Sequence, residues 1–164
     1  MRRERARAAD GSGGDSAAIR AAFASLYAGD HAGELETASG DCFAEAFIGL
    51  TTQDQLREAG VLDASYAVVA ELPPLPPDVA DAWVEAQFGC SDFVEESTNA
   101  QVKISKGKID GEKYAACLRR ELTEDDMRAA ATSSLTGDWD APAVSALADA
   151  QGRCSRASLP PDPE

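Results

Sequence analysis

Four cysteines, one histidine and several close carboxylate pairs are the side chains of this 164-residue chain suited to chemistry. The cysteines stand at 42, 90, 117 and 154, and no two are closer than 27 positions. Zinc sites usually bring thiolates in close pairs, because one knuckle presents two at once. The spacing therefore argues against a metal centre. It leaves two readings open: disulfides, or free buried cysteines serving as small core residues. His31 lies in the polar stretch Gly29-Asp-His-Ala-Gly33. A general base needs an oriented partner and a nucleophile, and Asp30, adjacent only in sequence, supplies neither, so His31 reads as an exposed loop residue. Glu34 with Glu36, Glu95-Glu96 and Asp125-Asp126 fall at helix starts or on exposed faces. There acids favour the helix dipole rather than face each other across a cleft as glycosidase chemistry requires. Asp138-Trp-Asp140 is only a fragment of a calcium loop. Phosphate-binding glycine loops, nucleophile elbows and zinc-protease motifs do not occur. The expectation is no catalytic residue, no metal ligand and no cofactor.

Charge narrows the partners. The chain has 29 acidic and 15 basic residues, net −14, a balance that phosphates repel, so nucleic acid is not an expected partner of the whole chain. The charge is uneven. Residues 30–99 carry 15 acidic and one basic side chain, and residues 100–120 carry six basic and two acidic. That basic island is Lys103, Lys106, Lys108, Lys113, Arg119 and Arg120. It reads either as a contact for an anion or anionic lipid, or as a solvated patch that partly neutralises the acidic body. No aromatic row interleaves it; only Tyr114 is near. Trp83 sits at core spacing. Trp139, between Asp138 and Asp140, is either an exposed contact or a partly buried loop anchor. Trp139, Lys103, Lys106 and Lys108 are thus the candidate interaction residues.

The elements that must position these groups are short helices. Apolar content of 44% exceeds that of a disordered chain, and no run approaches the roughly 18 apolar residues of a membrane helix. Met1 to Gly14 reads as a basic and Gly/Ser-rich tail without the apolar run of a signal peptide. Residues 157–164 read as a proline-rich tail. Between them, Asp15 caps a helix carrying Ile19, Phe23, Leu26 and Tyr27 to a stop at Gly29. A second helix carries Cys42, Phe43, Ala46, Phe47 and Leu50, with Gly40 and Gly49 near its ends. Thr52-Gln-Asp-Gln55 is a capping box opening a short helix to Gly60. Residues 64–72 fit a short helix or a strand. Pro73, Pro74, Pro76 and Pro77 then make a stiff connector, and Asp78 is expected to cap a helix with Val79, Trp83, Ala86 and Cys90. Further helices are expected from Phe93 towards Ile104, from Asp110 through Leu122, from Thr123 to Gly137, and from Pro142 to about Gly152–Cys154. The sum is six to eight short helices, as befits 32 alanines.

Two segments resemble each other without a gap: TQDQLREA from Thr52 to Ala59, and TEDDMRAA from Thr123 to Ala130. Each follows a cysteine helix (Cys42-Phe-Ala-Glu, Cys117-Leu-Arg-Arg). Each leads to a helix closing on Ala-Gln and a cysteine, at Cys90 and Cys154. The pattern reads as two degenerate tandem repeats, about 33–91 and about 108–155, after an N-terminal helix at 15–29, within one helical domain over 15–156. Four cysteines allow three pairings. Two equivalent bridges, Cys42–Cys90 and Cys117–Cys154, explain two equivalent positions most simply. By loop entropy each would stabilise by about 4 kcal/mol.

Cys42-FAEAF, Leu56-REAG, the acidic helix before Cys90, Cys117-LRREL and the closing Cys154 resemble uncharacterised exported helical-repeat proteins of high-GC Gram-positive bacteria over roughly residues 17–156. The resemblance implies an all-helical secreted or envelope protein with no known activity. It transfers no catalytic residues. The expected function is therefore a non-enzymatic extracytoplasmic module acting by protein contact through the acidic residues 30–99, given an export segment upstream. The alternative is a cytoplasmic ligand-binding or regulatory domain with reduced cysteines, whose basic island meets an anion.

Overall fold

The computed structural model describes residues 13–30 and 32–162. The expected basic tail (residues 1–12 of it), His31 and the last two residues of the proline-rich tail lie outside the described residues. Among the described residues the chain forms eight α-helices and one isolated antiparallel bridge, Leu62 with Val68, so the fold is all-α as expected. The chain divides into two compact units, one to Ala86 and one from Gln87.

Unit 1 contains α1 (Ser16–Ala28), α2 (Glu34–Leu50), α3 (Gln53–Glu58) and most of α4 (Pro77–Cys90). Asp15 caps α1 by accepting the Ala17 amide, and Gly29 ends it at φ 83°. Its core is aromatic. Phe23 meets the edge of Phe47 at 5.2 Å, Tyr27 stacks on Phe43 at 4.4 Å, and Trp83 closes on Phe43 and Phe47 at 4.6 and 5.3 Å. Such pairs add about 0.5–1.5 kcal/mol each beyond their buried area. Leu56, Val61, Leu62, Leu75 and Val79 are buried in the same unit.

Four expectations for this unit are corrected. α2 begins at Glu34, six residues before Gly40. The start was concealed because the capping side chain comes from inside the helix: the Glu36 carboxylate accepts the Gly33 amide at 3.1 Å. Gly40 is interior because a β-carbon there would lie 2.6 Å from the Ala24 carbonyl oxygen and 3.2 Å from the Ala28 β-carbon. Its lack of a side chain lets α1 and α2 approach. Leu50 is 51% exposed and does not serve the core. α4 begins at Pro77, whose missing donor costs nothing in a first turn; Asp78 is therefore not the cap, and its carboxylate accepts the Gln55 side-chain amide at 2.7 Å.

Residues 64–72 form neither helix nor strand. Asp63 organises this stretch: its Oδ1 accepts the Ser65 amide, the Ser65 hydroxyl and the Ala67 amide at 2.7–3.0 Å. These hydrogen bonds hold the Asp63 carboxyl below its usual range. Tyr66 takes a left-handed conformation (φ 63°), with Arg57 over its ring.

Unit 2 contains α5 (Phe93–Ile104), α6 (Gly111–Glu121), α7 (Glu124–Leu135) and α8 (Pro142–Ala157). Asp92, Asp110 and Thr123 cap α5, α6 and α7 with their side chains. Val94, Ile109, Tyr114, Cys117, Leu118, Met127, Ala150 and Cys154 form its core. α8 runs past Gly152 and Cys154 to Ala157, correcting its expected end. Ser158 then turns inward: its hydroxyl donates to the Cys154 carbonyl at 2.7 Å and its own carbonyl accepts the Asp110 amide at 2.9 Å. Leu122, expected inside the preceding helix, is the C-cap of α6.

The contact at Gly40 yields a paired test. Gly→Ala in a helix interior ordinarily stabilises by about 1 kcal/mol. Gly49, in the same helix, has open space around its α-carbon, so Gly49→Ala should raise stability by about 0.5–1 kcal/mol. Gly40→Ala should lower it by about 1–3 kcal/mol through overpacking. Chemical denaturation of both variants checks the opposite signs; a stabilised Gly40→Ala would refute the close α1–α2 contact.

Candidate functional site

The chemically distinctive residues are the cysteines, and all four are oxidised. Cys117, in α6, is bonded to Cys154, in α8, with the α-carbons 5.6 Å apart, well inside the range disulfides adopt. Cys42 and Cys90 form the other bridge. The pairing is the one that the two similar segments favoured.

Around the Cys117–Cys154 bridge, Glu121 approaches both sulfurs, and potential ligand atoms of the three residues lie within 4.8 Å of one another. The cluster is not a metal centre in the oxidised protein. Both sulfurs are committed to each other, and Glu121 accepts Arg153 Nε and Nη2 at 3.0 and 2.6 Å. That hydrogen-bonded partner holds the Glu121 carboxyl below its usual range and raises the Arg153 guanidinium. The pair is largely exposed, so its contribution to stability is small.

The two Thr-capped segments share their first turns. Thr52 accepts the Gln55 amide at 3.1 Å while Gln55 accepts the Thr52 amide at 3.3 Å. Thr123 accepts the Asp126 amide at 3.2 Å while Asp126 accepts the Thr123 amide at 2.8 Å. Leu56 and Met127 are buried at matching positions, as are Ala59 and Ala130. Beyond that point they differ, since α3 has six residues and α7 has twelve.

Unit 2 also has an open groove of about 700 Å³ lined by Phe88, Phe93, Arg119, Leu122, Thr123 and Met127, among others. Phe88 and Phe93 stack at 5.6 Å, and the Arg128 guanidinium lies 4.8 Å over Phe88. Its polar groups are already engaged. Asp92 caps α5 and accepts Arg119 at 3.1 Å, Thr123 caps α7, and Glu124 accepts Arg128 at 2.8 Å.

The candidate interaction residues do not form one surface. Lys103, Lys106 and Lys108 are exposed at the α5–α6 connection. Trp139 is 67% exposed in the α7–α8 connection, so it is not a partly buried anchor. α8 has 16 residues and spans about 24 Å between its ends. Trp139 precedes one end, and Ser158, bonded to Asp110, follows the other. The carboxylate pairs Glu34/Glu36, Glu95/Glu96 and Asp125/Asp126 occupy first turns of α2, α5 and α7, where dipole and capping account for them.

Neither family models, curated proteins nor solved structures give a match to this chain. What the chain itself supports is coarser. Its disulfides favour an oxidising, extracytoplasmic setting. No helix among the described residues is long and apolar enough to cross a membrane.

Sequence reasoning missed one polar cluster, inside unit 2. The Tyr114 and Ser97 hydroxyls lie 2.9 Å apart, and Gln151 donates to Ser97 at 3.1 Å. Its partners are up to 54 positions apart, so no local pattern marked it. Burial pushes the Tyr114 phenol up, with the Ser97 hydrogen bond opposing. The folded state thus holds this proton more tightly than the unfolded chain. The resulting stability is present below the unfolded value near 10 and is lost as pH rises through the folded one. Tyr114→Phe should cost about 1 kcal/mol at about pH 8 and should reduce the further loss on going to about pH 10.5. Thermal unfolding at both pH values measures this. An equal alkaline loss in both proteins would remove Tyr114 as the sensitive group.

Proposed function

We propose that this chain is a non-enzymatic, extracytoplasmic helical module of the cell envelope that works by binding another protein. The observation that carries this reading is the oxidation of all four cysteines in two bridges. Such bridges persist outside the reducing cytosol. The carboxylates and hydroxyls discussed above are engaged in caps, turns and ion pairs, which supports a structural rather than a catalytic use of them. The partner contact is assigned to the acidic residues 30–99, which hold 15 carboxylates against one arginine and suit a basic protein surface. On this reading the Thr52 and Thr123 segments are two copies of one capped-helix unit, and the chain belongs with the exported helical-repeat proteins that it resembles. The cytoplasmic alternative requires reduced cysteines, which the bridges do not favour.

Peptide mapping without reduction, on protein isolated from its native host, tests the reading. The expected result is two linked pairs, Cys42 with Cys90 and Cys117 with Cys154. Four free thiols would overturn the extracytoplasmic assignment and restore the cytoplasmic one.

A further inference from the structure

At the α5–α6 connection, lysines and exposed aliphatic side chains come together at one end of unit 2. α5 closes with the Gly107 amide on the Val102 carbonyl at 2.8 Å. Lys106 and Gly107 are both left-handed, at φ 55° and 77°, so the chain reverses within a few residues. Lys103, Ile104, Lys106 and Lys108 are left exposed on this turn, and Ile104 is 74% exposed. The last turn of α8 lies alongside: Ser155 donates to Gln101 of α5 at 3.2 Å, and the Ser158 carbonyl accepts the Asp110 amide. Leu159, 47% exposed, follows at the same end. Asp110 and Glu112 at the start of α6, and Asp162 three residues after Leu159, are the acids near this end, and Asp110 faces Lys113 at 3.9 Å.

We propose that this end of unit 2 docks on an anionic lipid bilayer, with Ile104 and Leu159 entering the headgroup layer and Lys106 and Lys108 on the lipid phosphates. Charge complementarity selects an anionic surface. The exposed aliphatic side chains select lipid over a soluble polyanion, because interfacial binding adds apolar burial to electrostatic attraction. The acidity of the whole chain does not forbid the contact. At physiological salt, charges are screened beyond about 8 Å, whereas Asp138 and Asp140 stand beyond the far end of α8, a helix about 24 Å long. The proposal is independent of the protein-binding reading, which rests on residues 30–99.

The full chain, with disulfides intact, would be sedimented with phosphatidylglycerol–phosphatidylcholine vesicles and with phosphatidylcholine vesicles alone. Binding is expected only to the anionic vesicles, and high salt should release it. Each lysine removed should weaken partitioning about fivefold, so Lys106→Gln with Lys108→Gln should weaken it about 25-fold. Ile104→Ser should weaken it about tenfold with an unchanged salt slope. All three side chains are exposed, so thermal unfolding should not move. The proposal fails if binding shows no anionic preference, if the lysine variants bind like the parent, or if Ile104→Ser binds unchanged while soluble polyglutamate competes. The last outcome would make the lysines a simple polyanion contact.

Discussion

The bond between Cys117 and Cys154 is the constraint on which unit 2 is arranged. Cys154 is fully buried near the end of α8, and its partner lies one turn from the end of α6. Fixing those two points leaves little freedom for the rest. The Leu118 and Tyr114 side chains lie along the same face of α6, and Ala150 lies one turn back along α8. The bridge matters because the chain has few aromatic side chains to pack: five Phe, three Tyr and two Trp in 164 residues. Ala130 and Ala150 are fully buried yet bring little area each. Closing a 37-residue separation contributes about 4 kcal/mol by loop entropy, a large share of the 5–15 kcal/mol typical of a folded domain. Unit 1, whose Cys42 is also bridged, adds a cluster of Phe23, Tyr27, Phe43, Phe47 and Trp83 and uses Gly40 to bring two helix backbones close.

The acidic composition has a similar local explanation. Asp15, Asp92 and Asp110 cap helix N-termini, Asp126 completes a capping box, Asp63 holds a turn and Glu121 pairs with Arg153. Where these bonds depress a carboxyl, as at Asp63, Glu121 and Asp126, the ionised form is favoured in the folded state. That contribution exists above the unfolded value and is lost as pH falls through the folded one. These six carboxylates thus have structural partners, four of them at helix N-termini.

This distinction explains what was legible in the sequence. Helix starts written as a single side chain before an apolar period were readable, as at Asp15, Thr52, Asp110 and Thr123. So was the pairing of the cysteines, because it depended on comparing two segments rather than on geometry. The start of α2 was hidden because Gly33 supplies no side chain and Glu36 caps from within. Gly40 looked like a residue near the helix start because a close helix crossing and a helix boundary ask for the same residue. The end of α8 was hidden because Gly152 is tolerated inside a helix that the buried Cys154 and Ser158 hold in place. The Asp63 turn and the Tyr114–Ser97–Gln151 cluster were unreadable, since their stability comes from partners that no periodicity marks. At the surface, the composition of the basic island was plain in sequence, but the company it keeps was not: only the fold brings Leu159 to the end of unit 2 where Ile104 is exposed.

That juxtaposition is the part of the structure that folding explains least. The end of α5 is a place where a cation gains from the helix dipole, and Lys103 occupies its last turn accordingly. Ile104 has no comparable reason to be there. It is outside the core, at the tip of a helix whose Val94 is in the core and whose Phe93 packs against it. Lys106, one residue before Gly107, takes a left-handed conformation that side chains ordinarily avoid, where asparagine or a second glycine would sit more easily. Elsewhere in the chain, side chains at helix ends are chosen to satisfy backbone groups. At this connection Ser105 and Asp110 do so, accepting the Ile109 and Lys113 amides, whereas the common property of Lys106, Lys108, Ile104 and Leu159 is what they present to the outside. A surface built against local preference is better explained by what it touches than by what it stabilises.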